Sequence, residues 1–322
     1  MRLWAHFVVA SLVAMSLSAC AKPAAPRATV WLCPPAHENG RCLRELFEQP
    51  DQWKATRAAV DGIGYADHCL NRQFTDDELR AWFPRLREWR LKFALEVGAV
   101  KPWGPTGEKA FAVERPMWDR FQRLGAKLHA IAMDEPLCCA RKDLGKPDDY
   151  AVEETATFVA LVRKHYPDVL IGDVEPYPYL PLPDLIHWID TLQRRLAGKG
   201  VRGLDFFRLD VDWMCFTAAH RGSWQEVKEL EQHCRRRGLP FSLIYWAADY
   251  PEMKRRGQAT DATWYASTLR QGADYAAAGG APDEVVIQSW LGAPARAVPE
   301  TGEATFTRAV LDFARQFAGR AP

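Results

Sequence analysis

Carboxylates recur in closely spaced groups along this chain, and each group lies at the end of a short apolar run. The groups are Glu96, Asp134 with Glu135, Asp173 with Glu175, and Asp210 with Asp212. Paired carboxyl groups can divide acid and base work, because burial and neighbouring charge raise the pKa of one member while the other stays ionised. These residue types therefore indicate proton-transfer chemistry, provided that the fold brings the groups together.

The apolar runs that carry these acids alternate with amphipathic segments along the chain. Strands are predicted at 29–33, 59–65, 91–97, 127–134, 168–174, 204–212, 240–246 and 285–290. Helices are predicted between them, at 43–57, 75–89, 112–124, 149–165, 183–197, 223–237, 261–278 and 303–318. Successive strand–helix units of this kind predict an α/β fold, a single (β/α)8 barrel. An open doubly wound sheet would place a glycine-rich turn after the first strand, and none is present.

The alternation along each strand predicts which side chains enter the barrel, because residues two apart share a face. On strand five, Asp173 and Glu175 share one face and are expected to point inward. On strand six, Arg208, Asp210 and Asp212 share the corresponding face. Active sites of such barrels lie at the carboxyl ends of the strands, which is where these acids occur.

The fourth strand ends in Met133-Asp134-Glu135-Pro136. This motif resembles the Asn-Glu-Pro that closes strand four in the large clan of (β/α)8 glycoside hydrolases, in which the Glu is the acid/base. The resemblance implies hydrolysis of a glycosidic bond, without a cofactor or metal, with Glu135 as general acid. The clan's nucleophilic Glu has no counterpart here, since strand seven ends in residues 245–249, Tyr-Trp-Ala-Ala-Asp.

The second carboxylate of such a hydrolase is expected to be Glu175 on strand five or Asp212 on strand six. Strands four and six lie roughly 9–10 Å apart at ordinary strand spacing, a separation that suits inversion, whereas about 5 Å suits retention. The sequence leaves both partners open. The remaining strand-end acids are expected to orient sugar hydroxyls: Asp134, Glu96, Asp210 and Asp173.

Aromatic residues are abundant, with 13 tryptophans in 322 residues. Those on predicted helices are expected to fill the core, where large rings bury much apolar area. Those near strand ends are expected to stack on the apolar C–H faces of sugar rings. This second set consists of Trp103, Tyr177, Trp213, Trp246 and Trp290.

Two other functions fit parts of this pattern. Acids at the ends of strands three, four and five resemble the Mg²⁺ ligands of the enolase superfamily, although its capping domain and strand-two lysine are missing. The ligands would be Glu96, Asp134 or Glu135, and Asp173 or Glu175. The third interpretation is a lipoprotein that binds polysaccharide without catalysis.

The first residues predict a secretion signal and a lipid anchor. Residues 1–19 have a basic start and an apolar run too short to span a bilayer, as a signal peptide does. The run ends in Leu-Ser-Ala-Cys20, which resembles the bacterial lipobox and implies lipidation of Cys20. Residues 20–27 would form a tether and 28–322 the catalytic domain. Ala21 after the cysteine implies the periplasmic face of the outer membrane.

Charge and cysteine content limit the partners. The chain has 42 Lys and Arg against 41 Asp and Glu, which excludes a basic nucleic-acid binder and an acidic disordered tail. The expected partners are a carbohydrate and, through the anchor, a membrane; the chain is expected to be a monomer.

In an oxidising compartment Cys33 and Cys42 could close a loop, and Cys138-Cys139 suits a vicinal disulfide or two small buried residues.

Overall fold

The computed structural model describes residues 27–320, in which eight parallel strands close into one barrel in chain order. The strands are β1 (Thr29–Cys33), β2 (Gly62–Ala66), β3 (Lys92–Val97), β4 (Leu128–Asp134), β5 (Leu170–Tyr177), β6 (Phe206–Val211), β7 (Phe241–Tyr245) and β8 (Glu284–Gln288). Each overlaps its predicted segment, so the (β/α)8 fold is confirmed. The predicted signal peptide, Cys20 and nearly all of the tether lie outside the described residues.

The helices surround this barrel and connect its strands. They are α1 (His37–Glu48), α2 (Lys54–Ala59), α3 (Asp67–Gln73), α4 (Asp76–Glu88), α5 (Gly107–Arg123), α6 (Pro136–Lys142), α7 (Asp148–His165), α8 (Leu182–Gly198), α9 (Met214–Ala218), α10 (Trp224–Arg236), α11 (Tyr250–Arg255), α12 (Asp261–Ala277) and α13 (Phe306–Phe317). Four of them, α3, α6, α9 and α11, are short loop helices that the sequence did not indicate.

The core consists of two apolar layers. The outer layer lies between barrel and helices and contains the helix-borne Trp82, Trp118 and Trp188, which are buried as predicted. The inner layer fills the barrel with small, branched and aromatic side chains. Its members include Ala94, Ala130, Ala132, Val174, Phe206, Ile244 and Val286.

Strand β5 presents the opposite face from the one predicted. Gly172 and Val174 point into the barrel, and a Cβ on Gly172 would lie 2.0 Å from the Phe206 ring. Glycine is required there because the Phe206 ring occupies the space. Asp173 and Glu175 therefore point outward to the helices, and the expectation that they enter the barrel is wrong.

Every cysteine between residues 27 and 320 is a free thiol. Cys33 lies in the inner layer and Cys42 in the outer one, so the loop-closing disulfide is not formed. Cys138 and Cys139 are two buried, unpaired residues. Within the same residues, no helix is long and apolar enough to cross a membrane.

Candidate active site

A cavity of about 390 Å³ opens at the carboxyl ends of the strands. Four carboxylates line it: Glu96, Asp134, Glu135 and Asp210. Among the described residues of its wall, Arg208 is the only arginine or lysine. Arg208 lies two residues before Asp210 on β6, deeper in the barrel. Its Nε donates to Ser242 Oγ at 3.0 Å, as expected of a residue that packs the barrel interior. The site is therefore strongly acidic.

Glu135 enters this cavity from a strained backbone. It is the residue before α6 and has φ 52° and ψ 49°. This left-handed conformation is unfavourable for residues other than glycine, because their Cβ crowds the backbone. Its amide donates to the Val174 carbonyl at 2.9 Å, which continues the β4–β5 pairing by one residue. Burial and then Asp134 raise the pKa of Glu135. Strain held in place at a strand end is typical of functional positions.

Glu175 supports Glu135 from the other side of the sheet. Its carboxylate accepts from the amides of Leu137 at 2.7 Å and Cys138 at 3.2 Å, which are unpaired donors at the start of α6. Glu175 is fully buried, and burial and then Asp173 raise its pKa well above the usual range. Because its oxygens face away from the cavity, the prediction that Glu175 catalyses is wrong; it positions α6.

Glu96 and Asp210 are the deep acids of the cavity. Gln288 Nε2 donates to Glu96 Oε2 at 3.0 Å, while burial and then Asp134 raise the pKa of Glu96 to about 7. Asp210 Oδ1 is buried without a hydrogen-bond partner among the described residues. Burial, followed by Glu135, raises the pKa of Asp210 well above its usual range. Both acids therefore carry protons more readily than free carboxyl groups do.

Asp134 is paired with a lysine that the sequence reasoning missed. Lys101 Nζ lies 2.7 Å from Asp134 Oδ2 and 3.0 Å from Cys139 Sγ, and its side chain is buried. Lys101 belongs to the loop after β3. The one feature of the sequence that could have indicated it is its position as a single cation shortly after a strand end. The pair links this loop to the strand that carries Glu135.

Two other predicted residues serve the scaffold. The Tyr177 hydroxyl donates to Glu226 and accepts from the Ser223 amide at 2.9 Å, so this ring is buried rather than free for sugar. Asp173 Oδ2 accepts from Trp188 Nε1 at 2.6 Å on the helix side. Both binding predictions are wrong, because polar partners on the helices take up these groups.

Asp212 lies just beyond β6 and outside the wall of the cavity. Its Oδ1 accepts from the Met214 amide at 3.1 Å, and the Cys215 thiol lies 3.5 Å from Oδ2. Both oxygens thus bond to the start of the short helix α9. Asp210, two residues earlier, is the strand-six acid that reaches the cavity.

The tryptophans divide by position. Trp290 is 46% exposed and lines the cavity, and its ring packs 4.7 Å from that of Trp246. Trp246 is buried and donates from Nε1 to the Val211 carbonyl at 3.0 Å. Trp213 is half-buried beneath Arg270, and Trp103 is 62% exposed but outside the cavity wall. Trp290 is thus the one predicted aromatic that faces the cavity.

One wall of the cavity carries a thiol–imidazole pair. His68 Nε2 lies 3.3 Å from Cys69 Sγ, and both residues line the cavity. Asp67 Oδ1 lies 3.8 Å from His68 Nδ1, and Trp118 Nε1 donates to Asp67 Oδ2 at 2.9 Å. The Asp67 carboxylate and then Cys69 raise the pKa of His68 to about 10, and His68 lowers the pKa of Cys69.

The structure does not supply the ligands that the enolase-like, magnesium-binding alternative requires. It required acids from β3, β4 and β5 on one face, yet Asp173 and Glu175 of β5 point to the helices. Between residues 27 and 320, no group of three or more His, Cys, Asp or Glu side chains is arranged to hold a metal ion. The residues present do not fit an enolase-type magnesium site.

Comparison with protein-family models and with curated proteins found no match to this sequence. Solved structures do match in fold. A xylanase from Cellvibrio japonicus has a TM-score of 0.54 at 11% identity, over 92% of this chain and 73% of that one. A glucosidase from Croceicoccus marinus has a TM-score of 0.50 at 13% identity, over 83% and 63%. An aldolase, QR15, has a TM-score of 0.46 at 12% identity, over 82% and 91%. At these identities the likeness to the xylanase and the glucosidase shows the barrel fold alone.

Proposed function

We propose that this chain is a glycoside hydrolase that cleaves a poly- or oligosaccharide at the mouth of the barrel. The observation that carries the proposal is the convergence of Glu135 and Asp210 on one cavity, from β4 and β6. One strand separates them, so their backbones lie roughly 9–10 Å apart. That separation leaves room for a water molecule between a carboxylate and the sugar, as inversion requires.

The two acids would together hold one proton, so that one acts as general acid and the other as general base. Burial raises the pKa of both; Asp134 adds to the rise at Glu135, and Glu135 adds to the rise at Asp210, so the pair retains a proton that two free carboxyl groups would lose. We assign Glu135 as the acid that protonates the leaving glycosidic oxygen. Asp210 would take a proton from water as that water attacks the anomeric carbon. The bond to the leaving sugar breaks and the bond to water forms; Asp210 then gives its proton to solvent, and solvent restores the proton to Glu135.

Other groups of the cavity would bind the sugar. Trp290 offers an exposed ring against which a sugar can stack, and Trp246 supports that ring from below. Glu96, Asp134 and Gln288 present oxygens and an amide to hydroxyl groups. These are the contacts of a site that holds a polar ligand with an apolar face.

The first test is release of reducing sugar from cell-envelope and plant-type glycans. Glu135→Gln and Asp210→Asn are each expected to reduce the rate by about 10²–10⁴-fold, the usual contribution of a general acid or base. Glu108→Gln, an exposed change on α5, serves as the matched control and should leave the rate unchanged. Equal rates for wild type and Glu135→Gln would refute the assignment.

A second measurement assigns the roles. Aryl glycosides with good leaving groups need no proton from the enzyme, so they should restore activity to the variant that lacks the acid and not to the one that lacks the base. We expect rescue of Glu135→Gln only. Glycan binding by wild type without any sugar release would instead favour the non-catalytic binding function.

We further propose that the mature chain is held at the cell envelope by a lipid on Cys20. The proposal rests on the lipobox-like Leu-Ser-Ala-Cys at residues 17–20. Metabolic labelling with an alkyne fatty acid should tag the wild-type chain and not Cys20→Ala. Equal labelling of both would refute it.

A further inference from the structure

A second cleft, of about 190 Å³, lies at the opposite end of the barrel from the acidic cavity. It lies where α4 ends and where β3 and β4 begin. Apolar residues, including Phe83 and Phe93, form part of its wall. The polar part consists entirely of basic side chains: Arg87, Arg90, Lys92, Lys127 and His129.

The arginines and lysines of this cleft have no counter-ion among residues 27–320. Among residues 27–320, 24 ion pairs form at 4.0 Å or less, yet none involves Arg87, Arg90, Lys92 or Lys127. No Asp or Glu of the described chain lines the cleft. Consistent with unneutralised positive charge, burial and then Lys92 and Lys127 lower the pKa of His129.

Helix stabilisation explains only one of these cations. Arg87 lies in the last turn of α4, where positive charge is favourable, and it donates to the Gly125 carbonyl. Lys92 is instead the first residue of β3, and Lys127 precedes β4. Arg90 lies in the turn between α4 and β3 with a φ of 58°. Two stretches of the chain, residues 87–92 and 127–129, therefore contribute unpaired basic side chains to one cleft, a composition that suits an anion.

The chain approaches the barrel at this same end. Arg27 and Ala28 directly precede β1, and Arg320 donates to the Ala28 carbonyl at 2.9 Å. Arg27 is the seventh residue after Cys20, so the two can lie up to about 25 Å apart when the chain between them is extended. A lipid on Cys20 would therefore keep this end of the barrel close to a bilayer, and the acidic cavity would face away from it.

We propose that the cleft formed by Arg87, Arg90, Lys92, Lys127 and His129 binds the phosphate of an anionic phospholipid headgroup. Arginine matches phosphate oxygens with paired N–H groups, and lysine supplies point charge. The binding orients the barrel with its amino-terminal end on the membrane and its mouth toward the surrounding space. This site is independent of the proposed hydrolase chemistry.

The test uses the barrel from residue 27 onward, since every strand, both core layers and the barrel closure lie within this segment. Cosedimentation is measured with vesicles of phosphatidylcholine alone and of phosphatidylcholine with equal parts of phosphatidylglycerol. The barrel should bind only the anionic vesicles. Lys92→Gln with Lys127→Gln should weaken binding by roughly 25-fold, about fivefold for each cation.

A matched pair, Lys109→Gln with Lys254→Gln, changes net charge equally at exposed positions near the mouth and should bind as wild type does. Equal weakening by both pairs would overturn the proposal, since it would show a response to net charge alone. Failure of wild type to bind anionic vesicles would overturn it as well. If inorganic phosphate bound while vesicles did not, the ligand would be a soluble phosphate and the lipid assignment would be wrong.

Discussion

Lys101 Nζ lies 2.7 Å from Asp134 Oδ2, so a buried ammonium pairs with the acid that ends β4. Its charge lowers the pKa of Glu96 and of Glu135, against burial, which raises both. Removal of the charge should therefore raise both pKa values, because ionised carboxylates lose a stabilising neighbour.

Lys101→Met is thus expected to move the pH–rate profile for sugar release to higher pH. The profile of kcat/KM reports groups of the free enzyme and is the quantity to measure. Lys109→Met, on the exposed face of α5, is the control and should not move it. An unchanged or acid-shifted profile for Lys101→Met would contradict the electrostatic role of this lysine.

The left-handed backbone of Glu135 predicts an inverted order of stability between two variants. At ordinary positions glycine is less stable than alanine, whereas at φ 52° a Cβ costs roughly 1–2 kcal/mol. Glu135→Gly should therefore be more stable to urea than Glu135→Ala by about 1 kcal/mol. The same two changes at the exposed helical residue Glu108 give the reference order, with alanine above glycine. The same order at both positions would show that no strain is held at Glu135.

The strand pattern could be predicted from the sequence because apolar runs of four to eight residues recur with regular helical segments between them. The acids at strand ends could also be predicted, and Glu96, Asp134, Glu135 and Asp210 do converge. Glu96, Asp134 and Asp210 follow the alternation of an inward-facing strand, whereas Glu135 lies one residue beyond β4 and enters the cavity through its left-handed backbone. Local periodicity is therefore sufficient where small or branched side chains fill the inner face.

Strand β5 could not be predicted in this way, because both of its faces are buried. The polar face was expected inside, but Gly172 leaves the inner space to Phe206, and Glu175 satisfies the amides that begin α6. Helix α6 has only seven residues, too few for a periodic signal, so the sequence did not reveal the partner of Glu175. Tyr177 was misplaced for the same reason, since its partners Ser223 and Glu226 are distant in sequence.

The raised pKa of Glu96 predicts that this acid lowers stability at neutral pH. Its pKa is about 7 in the folded chain against an ordinary value of 4.5, so between these values the folded chain binds more protons than the unfolded chain. Its contribution to the free energy of unfolding therefore falls as pH rises from 4.5 to 7. Glu96→Gln should match wild type near pH 4 and exceed it by up to about 3 kcal/mol at pH 8.

Urea unfolding of the two proteins at both pH values measures this difference. Glutamine keeps an oxygen for Gln288, so the change removes the charge and retains the hydrogen bond. The exposed Glu108→Gln should show no difference that depends on pH. If Glu96→Gln were no more stable than wild type at pH 8, Glu96 would not carry the burial penalty that raises its pKa.

The thiol of Cys69 should be the most reactive thiol of the barrel at neutral pH. His68 Nε2 lies 3.3 Å from its Sγ and lowers its pKa, and the thiolate is the form that attacks an alkylating agent. Cys215 is a built-in comparison, because it is also partly exposed while burial and then Asp212 raise its pKa. Peptide mapping after brief exposure to iodoacetamide at pH 7 should therefore find Cys69 modified before Cys215.

His68→Gln should slow alkylation of Cys69 by roughly tenfold at pH 7, since the neutral side chain no longer favours the thiolate. At pH 10 the two proteins should react at similar rates, because the thiol then ionises without help. A bound sugar should protect Cys69, which shares the cavity with Glu135. Equal rates at pH 7 would show that His68 and Cys69 do not form an ion pair, and slower reaction at both pH values would indicate altered access to the thiol.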